Sequence, residues 1–172
     1  MYGEIVKNLF IISLLVFLTV SFSISTSAKA AFGEKAPDFE LSTLDGEVIR
    51  LSDYLGKIVI VDFWTTWCAP CRMAIPELIE LQNEYRDDLI IIGISLDQPY
   101  TQQNLKPFIE GFGINYPIVL GTLEVVEAYG NIRGIPTSFI INQKGEIVNK
   151  FTGYVPKSHF TTDIDRLLNS SD

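Results

Sequence analysis

Histidine appears once in this 172-residue chain, methionine twice and cysteine twice. A structural zinc ion takes four ligands, so a single cysteine pair with His159 far along the chain falls short of one. Carriage of a soft metal ion is under-equipped in the same way, because no cluster of methionine or histidine accompanies the two thiols. Positive charge is also scarce: 13 Lys and Arg stand against 21 Asp and Glu, giving a formal net charge of -8 and a pI near 4.6. Phosphate recognition needs a surplus of cations on one face, which excludes a nucleic-acid binder. Internal repeats and low-complexity stretches are missing too, and 47% hydrophobic with 20% charged residues describes one ordinary globular core.

What is present begins with an export pattern. A short head, weakly basic because Glu4 offsets Lys7, leads into an apolar run from Leu9 to Ile24, then Ser25-Thr26-Ser27 and the small-x-small triplet Ala28-Lys29-Ala30. The triplet fits signal-peptidase cleavage, while the run is long for a signal core and slightly short for a membrane span. Residues 1–30 are therefore expected to be a signal peptide or an N-terminal membrane anchor, with membrane contact through residues 9–24 in the second case. Either outcome puts residues 31–172, a single domain, on the extracytoplasmic side, periplasmic or tethered to the outer face of the cytoplasmic membrane.

Within that domain, Phe39-Glu40-Leu41 and Val48-Ile49-Arg50-Leu51 alternate apolar and polar residues about Asp45-Gly46, predicting a leading hairpin. Lys57 to Trp64 (KIVIVDFW) is dense in β-branched and aromatic residues, as a buried central strand requires. From Pro70 to Tyr85 the period changes, and Ile75, Leu78, Ile79, Gln82 and Tyr85 fall on one helical face, with Pro76 expected to kink the helix about one turn after Cys71. A strand at 89–96, a helix at 101–111, a short strand at 117–120 and a helix at 123–129 follow. A closing hairpin about Gln143-Lys144-Gly145 precedes a terminal helix at 157–168 whose apolar stripe is Phe160, Ile164, Leu167 and Leu168. Such alternation predicts an α/β fold with helices on both faces of a central sheet.

Both cysteines stand in Trp67-Cys68-Ala69-Pro70-Cys71, where the buried strand gives way to the helix. Residues i and i+3 of a helix share a side, so the sulfurs can approach the roughly 2.05 Å of a disulfide. Cys68, at the helix N-terminus, meets unpaired N–H groups and the positive end of the dipole, which favour thiolate and make it the expected nucleophile. Cys71, one turn in, is expected to be shielded and to attack the mixed disulfide. A structural bridge, a zinc ligand pair and two inert buried thiols compete with this reading. Closing so short a loop restricts the unfolded chain little, and the inert pair leaves Pro70 and the junction without a reason.

These residues and the motifs around them resemble the thioredoxin superfamily, most closely its extracytoplasmic branch of TlpA- and ResA-like thiol:disulfide oxidoreductases. The motifs are Ala36-Pro37-Asp38-Phe39, Leu44-Asp45-Gly46, VDFWTTWCAPCR from Val61 to Arg72, Tyr129, Gly134-Ile135-Pro136-Thr137 and Gly145-Glu146-Ile147. The resemblance implies a thioredoxin fold: a central mixed β-sheet flanked by helices, with an N-terminal β-hairpin and a central αβ insertion. It implies that Cys68–Cys71 is a redox disulfide, that Pro136 is cis, and that Trp67, Ile135 and Pro136 form the substrate-docking surface. Asp62 matches the buried acid of thioredoxins, expected to exchange a proton with Cys71. A carboxylate within IVIVDFW is expensive to bury without a partner or a task, and desolvation should raise its pKa. Pairing with a neighbour is the alternative, and Lys57, five positions away on the same strand, points to the opposite face.

The family's common Glu three residues after the second cysteine is replaced by Ala74, its common Asn by Asp62, and the basic residue of thioredoxins proper by Gly93. In the family, reductant-like members commonly carry Ile before the proline, as at Ile135 here. The resemblance therefore implies reduction of disulfides in exported proteins, apocytochrome c being the favoured substrate, with electrons from a membrane thiol donor of the CcdA/DsbD type and no cofactor or metal. A thiol oxidant, a peroxiredoxin-like peroxidase and a copper chaperone are the alternatives. The peroxidase shares the Ala36-Pro37-Asp38-Phe39 opening and has Thr65 near the cysteine, but its proline is missing. Trp64 is expected either to pack or to flank the site, Arg72 to steady a thiolate or stay solvated, and His159 to lie on a helix surface.

Overall fold

The computed structural model describes residues 33–170. The expected leader, with its apolar run at 9–24, lies outside the described residues, and among those described no helix is long and apolar enough to cross a membrane. Strand β1 (Glu40–Ser42) pairs antiparallel with β2 (Val48–Arg50), Leu41 opposite Ile49. Gly46 turns the chain between them at φ 83, a conformation that side chains disfavour. Leu51 does not prolong β2 as its alternation predicts; it opens a short 3-10 turn, Leu51–Tyr54, and buries there.

A five-stranded sheet carries the rest. In chain order come β3 (Ile58–Trp64), α1 (Ala69–Glu84), β4 (Leu89–Ser95), α2 (Leu105–Phe112), β5 (Ile118–Leu120), α3 (Leu123–Ala128), β6 (Thr137–Ile141), β7 (Ile147–Thr152) and α4 (Lys157–Asn169). Spatial order is β5-β4-β3-β6-β7, with β3, β4 and β5 parallel and β6 and β7 antiparallel to their neighbours. The hairpin forms its own sheet and touches this one through the bridge between Thr43 and Val119. Lys57 sits just ahead of β3 rather than in it, and the helix expected from Thr101 starts as a 3-10 turn, becoming α-helical at Leu105. Helix α1 runs without a break through Pro76, although proline supplies no N–H to the ladder.

All seven residues of β3 are buried, as both covered faces of a central strand require. Their alternation separates two cores. Ile58, Ile60 and Trp64 pack with Ile75 and Leu78 of α1, Ile164 of α4, and both cysteines. Val59, Val61 and Phe63 pack on the other face with Leu41 and Ile49 of the hairpin, Val125 of α3, and Tyr129. Burying each such aliphatic side chain contributes about 1.5–3 kcal/mol, which fixes which way β3 faces. Tyr129, fully buried, donates its hydroxyl to the Pro37 carbonyl at 3.0 Å, and Asp38 Oδ1 accepts from the N–H groups of Phe39 and Ser52. The Ala36-Pro37-Asp38-Phe39 and Tyr129 motifs therefore clasp the N-terminal segment to the core.

Candidate redox site

Strand β3 ends at Trp64, and residues 65–68 carry the chain across the sheet edge to α1. Cys68 is the residue that caps this helix, extended at φ -81 and ψ 110, and its sulfur accepts the Cys71 N–H at 3.3 Å. Sulfur here takes the place usually held by a Ser or Asp oxygen. Pro70 in the first turn sacrifices no hydrogen bond, since N–H groups there have no partner within the helix. The first backbone bond of the helix, Arg72 N–H to the Cys68 carbonyl, measures 3.1 Å.

Cys68 and Cys71 are joined by a disulfide with Cα atoms 5.3 Å apart. Cys68 is 5% exposed and Cys71 1%, so both residues are buried and Cys71 the more deeply. Opposite Cys68 lies the segment before β6, where the Ile135–Pro136 bond is cis. The Ile135 carbonyl oxygen stands 3.6 Å from Cys68 Sγ, a contact while the sulfur is bridged and a hydrogen-bond acceptor for a Cys68 thiol. Trp67 is 66% exposed beside the pair, whereas Ile135 is half-buried and Pro136 buried.

Asp62 occupies the same face of β3 as Ile60 and Trp64, the face that packs against the cysteines and α1. It is 3% exposed, and Ser138, its register partner on β6, donates a hydroxyl to its Oδ1 at 2.7 Å. Desolvation pushes the carboxyl up to about 7, with the Ser138 bond pulling slightly the other way. Its side-chain hydrogen-bond partner is thus a neutral hydroxyl rather than a cation. On β4, Gly93 faces Asp62 in register, and the space a larger residue would need is taken by Trp64, Tyr116 and Ile118.

Trp64 is 2% exposed and belongs to the core. Arg72 is exposed, with its guanidinium over the Phe108 and Phe112 rings at 5.7 and 5.9 Å. His159 is exposed on α4, edge-on to Phe151. Ala74 is buried in α1 where the family's common acid would stand. One group escaped the sequence reading: Asp97, just past β4, accepts the Thr66 N–H at 2.8 Å and the Thr66 hydroxyl at 2.7 Å. A carboxyl closing the apolar run LIIIGISL was the available signal, but its partner is 31 residues away.

The family model described as the AhpC/TSA family matches residues 32–150. Thiol-disulfide oxidoreductase ResA of Geobacillus kaustophilus is 39% identical over 142 residues, covering 81% of this chain and 78% of that protein. A thiol:disulfide interchange protein of the thioredoxin family from Chlorobium tepidum superposes with a TM-score of 0.72 at 32% identity, over 80% of this chain and 98% of that one. The exposed lipoprotein thioredoxin of Streptococcus pneumoniae gives a TM-score of 0.67 at 29% identity, over 76% and 100%. With a Cys-x-x-Cys pair at the tip of α1 in a thioredoxin fold, the protein is an enzyme of thiol-disulfide exchange. The chain belongs to the AhpC/TSA family and, within it, to the TlpA/ResA-like thiol-disulfide oxidoreductases.

Proposed function

We propose that the protein works on the extracytoplasmic side as a reductant of disulfides in exported proteins, apocytochrome c being the favoured substrate. The observation that carries this reading is the Cys68–Cys71 bridge at the tip of α1, with Cys68 Sγ facing the Ile135 carbonyl and Cys71 the more deeply buried residue. In the reduced enzyme the Cys68 thiolate attacks one sulfur of a substrate disulfide, forming a mixed disulfide and releasing the other substrate sulfur as thiolate. Cys71 then loses its proton to Asp62 and attacks Cys68 Sγ, so the substrate leaves with two thiols and the enzyme with its own bridge. A membrane thiol donor of the CcdA/DsbD type returns the two electrons. Trp67, Ile135 and Pro136 hold the substrate segment against Cys68. The export pattern at residues 1–30 and the likeness to an exposed lipoprotein thioredoxin support the location.

The test is a pair of variants and a potential. Cys68→Ser should abolish insulin reduction, and Cys71→Ser should accumulate mixed disulfides that identify the substrates in the native host. Equal residual turnover in both contradicts the assignment of roles. A potential of about -270 mV fits a reductant, whereas one of about -120 mV makes the protein an oxidant. Peroxide consumption by the purified domain would favour the peroxidase reading instead.

A further inference from the structure

The loop 65–68 carries the attacking sulfur, yet few of its own bonds hold it. The Cys68 N–H reaches the Thr65 carbonyl only at 3.4 Å, and the exposed Trp67 ring does not anchor it. What grips the loop is a buried group just past the end of β4. Thr66 presents its N–H to Asp97 Oδ2 at 2.8 Å and its hydroxyl to Oδ1 at 2.7 Å, a two-pronged clasp that fixes both position and rotation. Ser95, opposite Trp64 in the β3–β4 register, donates its hydroxyl to Oδ2 at 3.1 Å and accepts the Asp97 N–H at 3.2 Å. Thr66, Ser95 and Asp97 are 9%, 1% and 5% exposed. Three donors thus serve one carboxyl group, and among the described residues no ion pair includes it.

We infer that Asp97 is a positioning residue for thiol-disulfide exchange, holding Thr66 so that Cys68 sits in the capping place of α1 with its sulfur toward the helix N–H groups and the Ile135 carbonyl. The clasp acts two residues upstream of Cys68, whose sulfur lies 3.3 Å from the Cys71 N and 3.6 Å from the Ile135 oxygen. Slippage of the loop by an ångström removes both. The carboxyl works through geometry, so an isosteric amide, whose oxygen accepts the Thr66 N–H while the Thr66 hydroxyl turns to accept from its NH2, should do nearly as well.

Because this takes Cys68 as the attacking sulfur, wild-type protein is first reduced, alkylated and mapped, which checks that reading separately. Three variants are then compared for insulin reduction, the pH midpoint of Cys68 alkylation and thermal unfolding. Asp97→Ala should lower the rate by about 10- to 100-fold, the scale of a small misplacement of a reacting group, and raise the alkylation midpoint. Asp97→Asn should retain the rate within about threefold and keep the midpoint, since only the charge is gone. Thr66→Val, which removes the hydroxyl but keeps the N–H and the fold, should fall between them. An Asn variant as impaired as the Ala variant would mean that charge matters rather than placement. Lowered melting temperature with unchanged rate and midpoint would make Asp97 merely structural. Either result overturns the inference.

Discussion

Ser138 donates its hydroxyl to Asp62 Oδ1 at 2.7 Å across the β3–β6 register, tying this buried acid of β3 to the strand that follows the cis Ile135–Pro136 bond. Strands β3 and β6 thereby share a buried side-chain hydrogen bond. A hydroxyl offers less than a cation, so burial dominates and the carboxyl holds its proton up to about 7.

Stability should register that proton. Asp62 has an ordinary value of 3.8 when exposed and about 7 when folded, so between these pH values the folded protein binds more protons than the unfolded chain. Stability contributed by this group is full below about 4, falls as pH rises through about 7, and is level above. The displacement corresponds to on the order of 4 kcal/mol. Urea unfolding of the oxidised protein from pH 4 to 8, compared with Asp62→Asn, should show the wild type losing stability relative to the variant across that window. Parallel curves for the two proteins would mean that Asp62 is ionised when folded.

The same proton should shape the kinetics. A base for Cys71 must be ionised, so the step that resolves the mixed disulfide should accelerate as pH rises through about 7. Asp62→Asn should remove that inflection and slow the step at pH 7.5 by on the order of 10²-fold, the usual contribution of a placed base. Stopped-flow resolution of a mixed disulfide preformed on Cys68 is the measurement, and an unchanged pH–rate profile would return Asp62 to a structural role.

The features legible in the sequence are those with a period or a local cap. KIVIVDFW announces a strand buried on both faces, and Cys68 and Cys71 announce a shared side of a helix tip, because both follow from spacing. Contacts between distant elements carry no such mark. Thr66 and Asp97 meet because β3 and β4 lie side by side in register, and Arg72 finds Phe108 and Phe112 because α2 packs beside α1. Leu51 reads as strand on alternation alone, while burial under the 3-10 turn decides its place. At Gly93 the sequence shows a missing side chain but not the residues that fill the room.

That filling has a consequence. A methyl group on Gly93 would come within 2.5 Å of Ile118 Cδ1 and 3.0 Å of Trp64 Nε1, both on buried side chains. Gly93→Ala should destabilise the protein by about 1–3 kcal/mol, as overpacking does, and Gly93→Lys should be worse rather than restoring the basic residue of thioredoxins proper. Chemical denaturation of the purified variants checks this; a Gly93→Lys protein of wild-type stability would show that the pocket opens freely.

Trp67 offers the sharpest separation of docking from chemistry. It is 66% exposed one residue before Cys68, a large apolar ring that contributes little to the core and has most of its surface free for a bound chain. Removing it should weaken protein substrates by about 5- to 30-fold in KM, the scale of an interface anchor worth 1–2 kcal/mol. A small disulfide, which reaches only the sulfur, should react within about twofold of wild type, and folding stability should change by less than about 0.5 kcal/mol. Steady-state insulin reduction and reaction with oxidised glutathione, measured side by side on Trp67→Ala, distinguish the cases. Equal losses with both substrates would mean that Trp67 shapes the reactivity of Cys68 itself, and no loss with either would remove it from the docking surface.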